Sequence, residues 1–312
     1  MSWHAMTLCV YCFEFDMRTK SATANDPQNG RTTDREHTPQ VGHELCTNPL
    51  VHKISFTGST AVGKLLMEQS ASTVKRLSLE LGGNAPFLVF EDADLEQAVA
   101  AAVASKFRNA GQTCVCSDRF LVQSTVYDEF IVKFAAAVNN ESGVVVGNGM
   151  HVGVTMGPLI SKQACDSVHQ KVQDAIAAGA KCVTGGHALE SLGSPNFYAP
   201  TILKDVPLHT EIWKSETFGP VAAVVAFDSE QEAVALANDS SAGLASYIMT
   251  RDLSRTFRVA KALEAGIVGV NDGIISTCTA PFGGIKESGL GREGGAAGLQ
   301  EYLETKYVFI NY

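Results

Sequence analysis

From residue 51 onward, apolar and polar positions switch repeatedly between a period of two and a period near 3.6. The pattern predicts a strand over 51–57, a turn at Gly58-Ser59-Thr60, and a helix over 61–71, where Val62, Leu65 and Leu66 recur at helical spacing. Apolar strands over 76–81 and 87–90 flank Gly82-Gly83, and an alanine-rich helix over 94–107 follows, with Asp92 or Asp94 as its N-cap. Further along, strands are predicted over 120–123, 181–184, 221–227, 245–250 and 267–270, and helices over 126–138, 162–178, 231–238 and 253–263. This alternation implies an α/β protein with open, mostly parallel sheets covered by helices, and ligand sites at the C-terminal ends of the strands. The last apolar segment, 305–310, has no helix after it and reads as an edge strand seeking a partner chain, so a homo-oligomer is expected.

Composition narrows the function classes. The chain has 312 residues, 45% of them hydrophobic and 18% charged, which describes a folded globular protein. A net charge of -9 leaves no basic face for nucleic acid or for an anionic membrane, and no apolar run approaches the roughly 18 residues that span a bilayer. Residues 1–40 mix a short apolar piece, 8–15, with polar and acidic residues and carry neither a secretory nor a transit pattern. A poorly ordered tail and a cytoplasmic or mitochondrial-matrix location are expected. The eight cysteines are scattered, which favours a reducing compartment. Cys9 with Cys12 and His43 with Cys46 have the spacings of metal ligands, but the residues between them lack a finger pattern, and no metal is expected.

The stretch Lys106-Phe107-Arg108-Asn109-Ala110-Gly111-Gln112-Thr113-Cys114-Val115-Cys116 places a thiol after small and polar residues at the end of a helical run. Such surroundings favour reactivity over packing and make Cys114 the candidate nucleophile. Gly58-Ser59-Thr60-Ala61-Val62-Gly63 lies between a strand and a helix, where free amides can hold a pyrophosphate, although a Ser-capped helix start needs no ligand. Glu80, in Leu79-Glu80-Leu81-Gly82-Gly83, is either a strand-end surface acid or a base whose pKa rises in a water-poor pocket. Glu216, in Ser215-Glu216-Thr217-Phe218-Gly219-Pro220, can take two sugar hydroxyls while Phe218 packs on an adjoining ring. Pro281-Phe282-Gly283-Gly284-Ile285-Lys286-Glu287-Ser288-Gly289 either lines a pocket with Phe282 or simply connects elements.

Together, Phe56-Thr57-Gly58-Ser59, Glu80-Leu81-Gly82-Gly83, Gly111-Gln112-Thr113-Cys114, Glu216-Thr217-Phe218-Gly219-Pro220 and Pro281-Phe282-Gly283-Gly284 resemble the aldehyde dehydrogenase superfamily in order and spacing, from about Val41 to the C-terminus. The detail of 106–116 and of Asn271-Asp272-Gly273-Ile274-Ile275-Ser276 is most similar to members that oxidise succinate semialdehyde. The resemblance implies a partial Rossmann-type cofactor domain (41–82), a parallel-sheet catalytic domain (83–284) and a C-terminal return with an oligomerisation strand (285–312). It implies NAD or NADP as cofactor, with Gly58, Ser59, Gly63, Leu81, Glu216 and Phe218 around it. Cys114 attacks the aldehyde and contributes its amide to the oxyanion site, Glu80 activates water, and Arg108, Ser276 and Phe282 hold the substrate. Cys116 resembles the partner thiol of a redox switch that would close a Cys114–Cys116 disulfide.

Members of this superfamily carry a long portion ahead of the strand-turn-helix unit, whereas about 40 dissimilar residues precede it here. The expectation is therefore an N-terminally truncated member that lacks the adenosine contacts, the oxyanion asparagine and a second carboxylate-binding arginine. The alternative function is an impaired chain serving only as an oligomer partner, or a residual thiol esterase.

Overall fold

The computed structural model describes residues 8–9, 38–140 and 143–312, and they fall into two compact units. Most of the expected N-terminal tail, Cys12 of the drawn metal set included, lies outside the described residues.

The first unit combines the described residues up to Leu81 with Cys278–Gly283 and Gly289–Tyr312. Its sheet runs in the order Leu8–Cys9, Lys53–Thr57, Arg76–Glu80, Gly289–Leu290. The first three strands are parallel and the last is antiparallel, with Gly289 opposite Glu80. Between the two central strands runs the helix Thr60–Ser70, which begins where Ser59 accepts a hydrogen bond from Val62 N–H. The helix Thr38–Thr47, which periodicity did not reveal, brings Cys46 into an apolar cluster with Ile54, Phe56, Leu79 and Leu81. Cys46 is thus a packing residue.

The predicted strand over 305–310 is not formed. The chain there pairs with no strand among the described residues, and Tyr307, Val308, Phe309 and Ile310 are exposed. An isolated extended segment leaves every backbone group to solvent, so apolar β-forming residues alone do not make a strand.

The second unit, Gly82–Thr277 with Gly284–Ser288, is built on a seven-stranded sheet. Its order is Ile267–Val270, Ala245–Met249, Ala85–Val89, Ser117–Gln123, Val221–Phe227, Thr201–Lys204, Lys181–Thr184, and every pair but the last is parallel. Ala85–Val89 and Ala245–Met249 are buried along their whole length, which explains the continuous apolar run of the first. Phe87 meets Phe120, Phe120 meets Phe134 and Phe134 meets Phe130, joining the sheet to the helix Tyr127–Asn139 through tilted rings with centroids 5.1 to 5.4 Å apart. Asp94, Ser161, Ser229 and Asp252 cap the four helices Leu95–Phe107, Lys162–Ala177, Glu230–Asn238 and Leu253–Ala262 through their side-chain oxygens. These helices start within a residue of the predicted positions because the cap residues fix them.

Candidate active site

In the second unit the helix Leu95–Phe107 stops at Arg108, and Asn109, Ala110 and Gly111 then take left-handed backbone angles in succession, with φ of 52, 56 and 74°. That conformation is unfavourable for a residue with a Cβ, so the surroundings must impose it. Gln112 does so in part, because its amide donates to Asn109 O at 3.1 Å and its Oε1 accepts from Ile160 N at 2.8 Å. Asn109 returns a bond to Gln112 O at 3.0 Å. The chain then folds into a turn closed by Cys116 N–H donating to Thr113 O at 3.0 Å, with half-buried Cys114 at its corner. Tyr247, fully buried, donates to Val115 O at 2.7 Å and holds the turn from the neighbouring strand.

Around this turn the structure gathers several of the predicted residues. A Cβ on Gly83 would run into the Cys114 carbonyl oxygen, and one on Gly111 would run into that of Gly219. Backbone segments from three motifs therefore touch where only glycine fits. Glu216 Oε1 accepts a hydrogen bond from Gly83 N–H at 3.0 Å, and Phe218 beside it sits at a φ of 49°, unusual for a bulky side chain. Arg108 is half-buried, and its Nε is enclosed without a hydrogen-bond partner. A guanidinium left with an unmet donor suits a carboxylate ligand. Ser276 is exposed, on a loop fastened to the helix before Arg108: Gln97 donates to Asn271 O at 3.0 Å, and Gly273 packs on Ala101 O. No hydrogen bond joins Ser276 to Arg108 among the described residues.

Cys116 differs in character from Cys114. It is 2% exposed, its Sγ lies 2.6 Å from Thr113 Oγ1, and burial pushes its pKa up. Neither cysteine is in a disulfide.

In the first unit Glu80 is 4% exposed, and its Oε2 is buried without a partner. Burial, with the Glu293 carboxylate adding repulsion and Arg292 opposing it, raises its pKa to about 8. Gly283 lies against it, since a Cβ there would stand 2.9 Å from Glu80 Oε1. Phe282, half-buried, exchanges two backbone hydrogen bonds of 2.7 Å with Glu293. Leu81 fills the space above Gly63, where a Cβ would collide with its methyl groups. Gly58, whose N–H donates to Glu80 O at 3.0 Å, precedes the Ser59 cap of an 11-residue helix with no acidic residue in its first turn. That helix start carries no negative side chain of its own, so its N–H groups suit a diphosphate.

Sequence reasoning missed three charged groups beneath the Cys114 turn. Lys106 Nζ donates to Asp118 Oδ1 at 2.6 Å with both side chains buried, and Lys171 Nζ donates to Glu216 O at 2.6 Å and Ser215 Oγ at 2.8 Å. The available signal was a lysine inside an alanine-rich apolar helix.

Comparison with known proteins places these observations. The chain is 55% identical over 274 residues to the mitochondrial succinate-semialdehyde dehydrogenase of Rattus norvegicus, covering 88% of this chain and 52% of that protein. It is 57% identical over 270 residues to the NADP(+) succinate-semialdehyde dehydrogenase GabD of Escherichia coli (strain K12), covering 86% and 55%. The crystal structure of an E. coli NADP dependent enzyme superposes with a TM-score of 0.83 at 56% identity, over 86% of this chain and 55% of that one. The chain spans about half the length of the curated relatives it matches. Residues 35–308 match the model of the aldehyde dehydrogenase family, and the chain belongs to that family.

Proposed function

We propose that this protein oxidises a small aldehyde bearing a distal carboxylate, succinate semialdehyde, to the corresponding acid, with NAD or NADP as hydride acceptor and Cys114 as nucleophile. The observation that carries the reading is Cys114 at the corner of a constrained turn, six residues after an arginine whose Nε is buried and unpartnered.

Cys114 adds as thiolate to the aldehyde carbon, and the oxygen that becomes negative is met by the Cys114 backbone N–H. A nicotinamide dinucleotide, when bound, would supply the hydride acceptor for that carbon. Glu80 takes a proton from the water that hydrolyses the thioester, releasing the acid and restoring the thiol. A carboxylate with a pKa near 8 suits this task, because it accepts a proton readily once ionised. Arg108 binds the far carboxylate of the substrate with two donors, which sets the aldehyde end at Cys114. Ser276 and Phe282 complete the substrate contacts. Ser59, Gly58, Gly63 and Leu81 would hold the diphosphate of the cofactor, and Glu216 with Phe218 would hold its nicotinamide riboside. The first unit is read as part of a dinucleotide-binding domain and the second as the catalytic domain, and the exposed apolar C-terminal residues as a contact between copies of the chain.

The test is the purified chain with succinate semialdehyde and either dinucleotide, followed by absorbance of the reduced cofactor. Reduction that disappears in Cys114→Ala supports the reading. No reduction with either cofactor contradicts it, and ester hydrolysis in its place would assign a thiol esterase.

A further inference from the structure

Lys106, Asp118 and Lys171, the first two buried, have no part in the chemistry above, yet their connections are specific. Lys106 stands on the last turn of the helix that leads into the nucleophile loop, and Asp118 opens the strand that leads out of it. Their contact, with side chains 0% and 4% exposed, closes the base of the loop. Asp118 also uses its second oxygen: Oδ2 accepts from Thr217 N–H at 3.3 Å, the residue after Glu216. Lys171 secures the carbonyl on the other side of that peptide, at Glu216 O. The Glu216–Thr217 peptide is thus held by an anion at its N–H and a cation at its C=O, and the anion is itself fixed by Lys106.

The two segments differ in their dependence on this group. Apart from Lys106–Asp118, the Cys114 turn is supported by Ser105 against Ser117 at 2.7 Å, by Tyr247 on Val115 and by Thr113 on Cys116. In the other segment Glu216 is held by Lys171 at its carbonyl and by Gly83 N–H at its carboxylate, whereas at Thr217 the Oγ1 is buried without a partner and the N–H rests on Asp118.

We propose that Lys106 and Asp118 form a positioning pair that sets the Glu216 segment against the nucleophile loop, so that the carboxylate of Glu216 is presented in one place. Its consequence for sugar binding rests on the reading of Glu216 as a ribose ligand.

Removing one member would leave a lone buried charge and unfold the site indiscriminately, whereas replacing both with apolar groups of similar volume is tolerated. The experiment therefore uses the whole chain carrying Lys106→Met together with Asp118→Leu, compared with native protein by hydrogen-exchange mass spectrometry. The proposal expects at least tenfold faster amide exchange over 215–219, with exchange over 111–116 and the iodoacetamide reaction rate of Cys114 within about threefold of native. Unchanged exchange over 215–219, or equal loosening of both segments, overturns it. Should the double variant fail to melt cooperatively, Lys106→Leu together with Asp118→Val, which likewise leaves no lone buried charge, decides by the same comparison: a rise confined to 215–219 supports the proposal and an equal rise overturns it. Fluorescence titration with reduced dinucleotide, with Glu216→Gln as comparator, separates the two readings. Weaker binding in both variants links the pair to the cofactor, while native-like binding by Glu216→Gln sinks the ribose reading and leaves the exchange result to judge the positioning.

Discussion

Gly83 meets the nucleophile through backbone alone: its Cα faces the carbonyl oxygen of Cys114 with no room for a Cβ, while its N–H donates to Glu216. One small residue therefore touches both the proposed nucleophile and the proposed ribose ligand. Gly83→Ala should push the Cys114 carbonyl aside, because the colliding atom is backbone and cannot rotate away. The expected result is a loss of about 1–3 kcal/mol in stability, as for overpacked sites, and at least a hundredfold loss in kcat. A thermal melt and steady-state kinetics on the same sample check both parts.

Glu80 makes the pH dependence of stability and of activity opposite in sign. Its folded-state pKa of about 8 lies above the ordinary 4.5, so between those values the unfolded chain ionises while the folded chain stays protonated. The stability this group contributes is complete below pH 4.5, declines as pH rises toward 8 and is lost above it. At roughly 1.4 kcal/mol per pKa unit the change amounts to a few kcal/mol. Activity should instead rise with pH to a plateau above about 8, as the base ionises. Glu80→Gln should melt progressively higher than native protein as pH is raised from 5 to 8.5, with thioester hydrolysis abolished. A constant gap in Tm across that range would show that Glu80 titrates normally.

Arg108 should discriminate between aldehydes by charge. With its Nε enclosed and unpartnered, a substrate carboxylate gains a charge-assisted bond that an uncharged aldehyde cannot make. Arg108→Gln is expected to lower kcat/KM for succinate semialdehyde by thirty- to a hundredfold, about 2–3 kcal/mol, chiefly through KM. For an uncharged aldehyde of equal length the change should stay below about threefold. Equal losses for both substrates would assign Arg108 a purely structural role.

The two neighbouring cysteines should separate cleanly by reactivity. Cys116 is buried, bonded to Thr113 and pushed up in pKa, whereas Cys114 is half-buried at a turn corner. Iodoacetamide at pH 7.5, followed by peptide mapping, should modify Cys114 at least thirtyfold faster than Cys116. Peroxide treatment tests the switch read from Cys-x-Cys, with a Cys114–Cys116 linkage that thiols reverse as the expected product. Activity loss without that linkage removes the switch.

Much of this architecture was legible because local chemistry and global fold agree. Asp94, Ser161, Ser229 and Asp252 are strong caps, so helix starts were readable, and Val221–Phe227 is an apolar run of the kind a strand inside a covered sheet shows. The short helix Glu211–Lys214 and the strand Thr201–Lys204 were not readable, the first being too short to express a period and the second having a single apolar pair. The segment 305–310 pairs with no strand among the described residues, because β-propensity says nothing about whether a partner strand is present in the same chain. At the site, Cys114 was singled out by its small and polar neighbours, Glu216 was one of two readings of its loop, and Arg108 entered only through the family resemblance. Lys106, Asp118 and Lys171 were not singled out, because a buried ion pair is a tertiary fact: the spacing of Lys106 and Asp118 in sequence carries no hint that both lie without solvent.

The claim on which everything else depends is that Cys114 becomes covalently acylated by the aldehyde during oxidation. Glu80→Gln, which should stop at the thioester, is mixed with succinate semialdehyde and dinucleotide, then quenched in acid and read by intact mass and peptide mapping. The account predicts one succinyl group per chain, located on Cys114, formed together with one equivalent of reduced cofactor and absent from Cys114→Ala. Cofactor reduction with no acyl group on Cys114, or an acyl group on another residue, would contradict it.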